Sequence, residues 1–310
     1  MSELFTMTVL LGIIYSGIRL ATPYLFAAIG EMFVQSSGVL NLGVDGIMLM
    51  GAFSGFYVAM ITGSLWLGVL AAAVTGMLMG LMMAVICVTL KAVQGISGIG
   101  LQLFGLGLST LLFRTMLDGT VVSISGFQPI KIPLLGDIPL IGDTVFNHNI
   151  LVYAAFLLVP VAAFILNKTT LGLKIRAVGQ NPQAVDTLGV SVDGIRYLTL
   201  SFGGMLAGIA GASLSLALIN LFAEDMTNGM GFIAVALVYF GSWRPSGILL
   251  GSLIFSFVNV FQLWVQVKGV DIPSDVAIML PYIMTILALV FAVRRATPAA
   301  LTKPFERGEA

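Results

Sequence analysis

The chain has 310 residues, 58% of them hydrophobic and 9% charged, with a mean hydropathy of +1.06 and a formal net charge of zero. A soluble domain carries about 25% charged residues, so this composition excludes a water-soluble globular protein, and zero net charge argues against nucleic acid as a partner. With one cysteine, Cys87, and one histidine, His148, neither a disulfide framework nor a metal constellation can be assembled.

Runs of about 20 apolar residues, enough to cross a hydrocarbon core of about 30 Å, lie near 8–30, 39–61, 65–90, 97–117, 149–167, 197–220, 229–243, 247–266 and 276–293. They predict an all-α polytopic membrane protein, a single transmembrane unit over 1–310 with about 8–10 transmembrane helices. The stretch near 229–243 is short, and the Gly-rich segment from Gly38 to Gly55 suits a broken or re-entrant helix. The start of the chain has no basic n-region and no small-residue cleavage site, which predicts no removable signal peptide.

The first ionisable residues in the apolar runs are Arg19, Glu31 and Asp45. Each would cost about 2.5–3.5 kcal/mol facing lipid at mid-depth, so they are expected to face the bundle interior or a polar path. Asn41 and Asp45 are four apart and would share a helix face, lining a substrate path or tying a broken helix to its neighbour. Arg19 could pair with Glu31 or Asp45, whereas Arg114 is expected to snorkel to headgroups. The 118–148 loop carries three acidic residues against one lysine and three prolines after Phe127, and suits a short helix or hairpin.

The segment 169–196 is a polar island. Leu173 to Val178 reads as a short helix stopped by Gly179. Asn181 can then cap a second one, with Pro182 in its first position and Gly189 closing it. Ala184, Val185 and Leu188 are expected on one side as an apolar knob, with Lys174 and Arg176 at its rim. Eight of the fourteen basic residues fall in this island, at Lys168 just before it and in the tail 294–310, and the acidic loops lie elsewhere. The asymmetry places the island and the C-terminus in the cytoplasm, the 118–148 loop outside and the N-terminus outside, in a multi-pass protein of the cell membrane.

No Gly-x-x-x-x-Gly-Lys-Ser/Thr run is present, so no ATP site of that kind is expected. No Ser–His or paired-carboxylate constellation for a membrane enzyme can be built either. Two transport readings follow from the residues. In one, the island couples this chain to a cytoplasmic partner; in the other, Asp45, Glu31 and Arg19 serve a self-sufficient ion-coupled carrier.

Three segments then match a known family in chain order. Glu31 to Ala52, with its Gly-Val-Leu-Asn-Leu-Gly-Val-Asp-Gly, resembles the first signature of the permeases of ABC importers for branched-chain amino acids, ribose-type sugars and nucleosides. Leu171 to Val190 resembles their cytoplasmic coupling segment, and Gly229 to Gly247 their late helical signature. The tail from Pro298 is similar to the nucleoside or simple-sugar branch. The family commonly carries Glu where this chain has Asp45, which shortens its reach. The resemblance implies a type II importer permease fold with no cofactor in this chain. It implies separate ATPase subunits that bind ATP and magnesium, a second permease chain, identical or paralogous, and an extracytoplasmic substrate-binding protein. Lys174, Arg176, Asn181, Pro182, Ala184, Val185, Leu188 and Gly189 would then serve coupling, and Arg19, Glu31, Asn41 and Asp45 the translocation path.

Overall fold

The computed structural model describes residues 7–133, 136, 142–267 and 297–307, with single positions at 279, 283, 286, 287 and 290. Helix α1 (Met7–Ser36) is followed by an irregular segment, 37–43, and by α2 (Val44–Thr62). Helix α3 (Leu65–Ala84) runs into a π turn over Val85–Thr89, and α4 (Gln94–Met116) returns. The segment after it holds β1 (Ile130–Lys131), a single turn α5 (Gly142–Val145) and β2 (Asn147–His148), the strands pairing antiparallel with Ile130 opposite His148. Then come α6 (Ile150–Lys168), α7 (Thr170–Gln180), α8 (Pro182–Thr187) and α9 (Val192–Ser213), the last extended by a π turn over Leu214–Leu218. Helices α10 (Met230–Phe240) and α11 (Pro245–Val267) complete the described core.

Seven of these helices are long and apolar enough to cross a membrane among the described residues, and the fold is the all-α polytopic one expected. Two of the expected spans are corrected. The break after the first run falls at 37–43, because α1 continues to Ser36. The run near 229–243 is not a span. Its helix has 11 residues, or about 16 Å at 1.5 Å per residue, half a hydrocarbon core. The expected span at 276–293 and the basic pair Arg294 and Arg295 lie outside the described residues, apart from single helical positions in the former.

Helices α2 and α9 form the centre, with 72% and 78% of their apolar windows buried, against 28–33% for α3, α4 and α6. Lipid tails are as apolar as leucine, so close backbone contact replaces hydrophobic drive as the source of helix association. Small residues supply that contact along α9. A Cβ on Gly204 would come within 2.3 Å of the Gly76 carbonyl oxygen, and one on Gly208 within 2.1 Å of the Ala72 carbonyl oxygen. On the other side of α9, a Cβ on Gly211 would meet the Met48 carbonyl oxygen of α2 at 1.8 Å.

Gly204→Ala is therefore expected to destabilise the detergent-solubilised protein by about 1–3 kcal/mol through overpacking. Gly107→Ala, on α4 with nothing within 4 Å of its Cβ position, is expected to leave the unfolding temperature unchanged or raised. Equal unfolding temperatures for the two variants would show that α3 and α9 are not in backbone contact.

Candidate functional site

Irregular backbone inside a membrane protein has no water to satisfy it, so each N–H and C=O of the break needs a partner within the fold. The 37–43 segment recruits them from α1, α4, α9 and the C-terminal tail, and from its own Asn41. Glu31 Oε1 accepts from the Asn41 N–H at 3.1 Å and from Gln35 Nε2 at 3.1 Å. Gln94 Oε1, at the start of α4, accepts from the Leu40 N–H at 2.8 Å. Asn41 Oδ1 accepts from the Gly43 N–H at 2.9 Å. Arg196 of α9 donates through Nε to the Ser37 carbonyl at 3.4 Å, while the Ser37 and Thr199 hydroxyls lie 2.9 Å apart. Trp243 Nε1, beyond α10, donates to Gln35 Oε1 at 3.1 Å. Gly38 takes a φ of +88° at the turn, where a side chain would be strained.

Asn41 thus lies in the break and not on α2, so it shares no helix face with Asp45. Its amide closes a local turn, while Asp45 opens α2 four residues later. Asp45 accepts from the Gly231 N–H through Oδ1 at 2.8 Å and from the Thr227 hydroxyl through Oδ2 at 3.3 Å. It is 3% exposed. The carboxylate therefore stands at two helix N-termini at once, in the first turn of α2 and against the start of α10, where the partial positive charge favours an anion. The absent side chain at Gly231 allows this: a Cβ there would lie 2.2 Å from the Asp45 nitrogen. That close approach brings α10 within reach of the shorter aspartate.

Arg19 pairs with neither Glu31 nor Asp45. Glu31 lies 12 residues further along α1, about 18 Å at 1.5 Å per residue, which puts it out of reach. The Arg19 guanidinium instead donates to the Ala217 and Leu218 carbonyls at 3.1 and 3.4 Å and sits 5.7 Å from the Tyr15 ring centroid. Those carbonyls end the α9 π turn and have no helical partner. Tyr15 stacks on His148 at 4.8 Å, and burial holds the His148 imidazole below its ordinary pKa, a direction the Arg19 charge reinforces. Arg114 does not simply reach for headgroups: it makes a two-pronged ion pair with Glu224 at 2.8 and 3.2 Å. That pairing holds the Glu224 carboxyl below the ordinary carboxylate range.

The island folds as two short capped helices. The Thr169 hydroxyl accepts from the Gly172 N–H at 3.1 Å to open α7, and Asn181 Oδ1 accepts from the Ala184 N–H at 3.0 Å to open α8, with Pro182 in its first turn. Gly189, at φ +78°, closes α8 as expected. Gly179 does not stop α7, which runs on to Gln180. The glycine serves contact instead, since a Cβ there would lie 2.1 Å from the Ser36 carbonyl oxygen at the end of α1. The expected apolar knob is also corrected. Val185 is buried in the main core, while Ala184 is exposed and Leu188 is 81% exposed. Positions 184 and 188 share a face, but 185 is turned about 100° from 184 at 3.6 residues per turn. Lys174 and Arg176 are exposed.

The C-terminal tail binds these parts together. The Ala300 N–H donates to the Gly179 carbonyl at 2.9 Å and the Thr302 N–H to the Gly38 carbonyl at 3.2 Å. Glu306 pairs with Lys91 at 3.0 Å and Arg307 with Asp186 at 2.8 Å. Island, break, tail and the α3–α4 turn therefore lie on one side of the molecule. Residue patterning alone passed over Gln35, Gln94, Arg196, Thr227 and Trp243. The i,i+4 spacing of Glu31 and Gln35 was a readable signal for a polar ladder at the α1 end; nothing local marks the others. Asp45→Ala would leave the Gly231 N–H and Thr227 hydroxyl unpartnered, at a cost of about 1–3 kcal/mol. The expected outcome is a lowered unfolding temperature and faster hydrogen exchange at the start of α10. Unchanged exchange there would contradict the tie.

The model of the family described as "Branched-chain amino acid transport system / permease component" matches residues 13–289. A protein provisionally named a glucose ABC transporter permease, from Haloferax volcanii, is 39% identical over 96% of this chain and 98% of its own length. The guanosine ABC transporter permease of Bacillus subtilis is 34% identical over 93% of this chain and 94% of its own. The nucleoside ABC transporter permease of Lactococcus lactis subsp. cremoris is 34% identical over 89% and 90%. No solved structure matches the chain. With most of its length matched, the chain belongs to the family of branched-chain amino acid-type ABC transporter permeases, in the company of its nucleoside and simple-sugar members.

Proposed function

We propose that this chain is the membrane subunit of an ATP-driven importer for nucleosides or related small, ring-bearing polar solutes. In this reading it forms the translocation path together with a second permease chain, identical or paralogous. An extracytoplasmic binding protein delivers the solute. Separate ATPase subunits, holding ATP and magnesium, dock on the cytoplasmic segment 171–190, and the C-terminal tail lies on that same side.

The observation that supports coupling most directly is the setting of α8. It is a capped helix anchored by buried Val185, with Leu188 81% exposed at its tip and Ala184 on the same face. An exposed leucine on a short anchored helix is unsatisfied by its own fold and suits an apolar socket on a partner. Lys174 and Arg176 provide exposed positive charge beside it. Gly179 against Ser36, and the tail against Gly179 and Gly38, give a short path from α8 to the broken helix. Rigid tilting of packed helices would carry a push at α8 to the path through those contacts. The nucleoside assignment is supported by the names of the Bacillus subtilis and Lactococcus lactis relatives and by the tail sequence from Pro298.

Leu188→Arg places a charge on the exposed tip without touching the core. It is expected to abolish co-purification with ABC ATPases that the wild-type chain captures, with unchanged monodispersity in detergent. Capture of the ATPases by the variant at the wild-type level would remove α8 as the coupling element.

A further inference from the structure

A cavity of about 360 Å³ lies in the half of the bundle away from the island, between α1, the end of α9, the start of α10 and α11. Phe255, Asn259 and Gln262 line it from α11, at i, i+4 and i+7 on one helix face. Asn228 and Thr227 line it from the turn that opens α10, and Tyr24 from α1 packs edge-on to Phe255 with ring centroids 5.4 Å apart.

Gln262 is 7% exposed, lines this cavity and has no hydrogen-bond partner among the described residues. Asn259, one turn earlier on the same face, is partly buried and likewise without one among them. Polar groups at membrane depth generally mark a path or a ligand. No charged side chain lines the cavity among the described residues, so it offers nothing to a phosphate or a carboxylate. A nucleobase has flat apolar faces and an edge on which donors and acceptors alternate, which is the pattern an amide can meet with two hydrogen bonds. The volume falls within the range of small-molecule sites, about 300–1,000 Å³, at its lower end.

We infer that this cavity is a nucleoside-binding station on the translocation path, in which Gln262 and Asn259 read the base edge and Phe255 and Tyr24 form its apolar wall. The inference rests on the proposed importer function and names the residues that set its specificity. The station also adjoins the coupling route. Thr227 lines the cavity and donates to Asp45, so a solute seated there bears on the turn that holds α10 to α2.

The test uses the complete complex with its ATPases in proteoliposomes, supplied with ATP and radiolabelled guanosine, adenosine or glucose. Gln262→Met and Asn259→Leu keep the shape and remove the amides. Each is expected to raise the KM for guanosine about tenfold or more, the loss of about one buried hydrogen bond, with ATPase capture unchanged. Gln262→Glu replaces a donor by an acceptor. It is expected to shift uptake toward guanosine, whose edge presents adjacent N–H donors, and away from adenosine, a change that a packing role would not produce. Unaltered KM in both amide-removing variants together with an unaltered guanosine-to-adenosine ratio in Gln262→Glu would overturn the station while leaving the importer reading intact. A wild-type complex that carries glucose and no nucleoside would overturn the nucleoside reading and this inference together.

Discussion

Seven residues of irregular backbone between α1 and α2 set the terms for the rest of this structure. Inside a bundle in which water is scarce, their polar groups have to be matched by the protein itself. Glu31, Gln94 and Asn41 take up N–H groups there, and Arg196 and the tail take up carbonyls. Apart from Asn41, each partner comes from a different stretch of chain, so the break acts as a clasp on α1, α4, α9 and the tail together. Losing such a partner exposes a buried group at a cost of about 1–3 kcal/mol, a large share of a typical folding free energy of about 5–15 kcal/mol. A structure that must close this clasp has few ways to arrange the helices around it.

The clasp also places the two functional ends of the molecule. Toward the island, the end of α1 touches Gly179, and the tail hydrogen-bonds to Gly38 and Gly179. Toward the opposite half, the first turn of α2 holds Asp45, which receives the start of α10 and the turn before it. A capped surface helix and an amide-lined cavity are thereby connected through contiguous packed contacts. Physical contiguity alone is not coupling. It does identify the elements whose relative motion has to be measured.

Much of this was legible in the residues. Apolar run lengths located the spanning helices, because the hydrocarbon thickness sets how many residues a helix needs. The Asn181–Pro182 start and the Gly189 stop of α8 were readable because capping is local chemistry. What was not legible depended on tertiary contact. Gly179 looks like a helix stop in sequence, and only the approach of α1 shows that its missing side chain is needed for contact. Asn41 and Asp45 suggest one helix face until the break intervenes between them. Arg196 counted as one more basic residue on the cytoplasmic side, yet it is 1% exposed beside the break. Gln262 lies in an ordinary apolar run, and its unpaired amide is visible only with the cavity in place.

The central claim is that α7–α8, the break and α2 form one rigid body through which a cytoplasmic partner acts. Pulsed electron–electron resonance tests it most directly, with spin labels at Gln180 on α7 and Thr62 at the far end of α2, both exposed, in a chain whose Cys87 has been replaced. The account predicts that the distance between these labels stays constant when ATP is added to the assembled complex, while the distance between the Gln180 labels of its two permease chains changes. A changed distance within one chain would mean that the island hinges independently of the break, and the clasp would then be structural only.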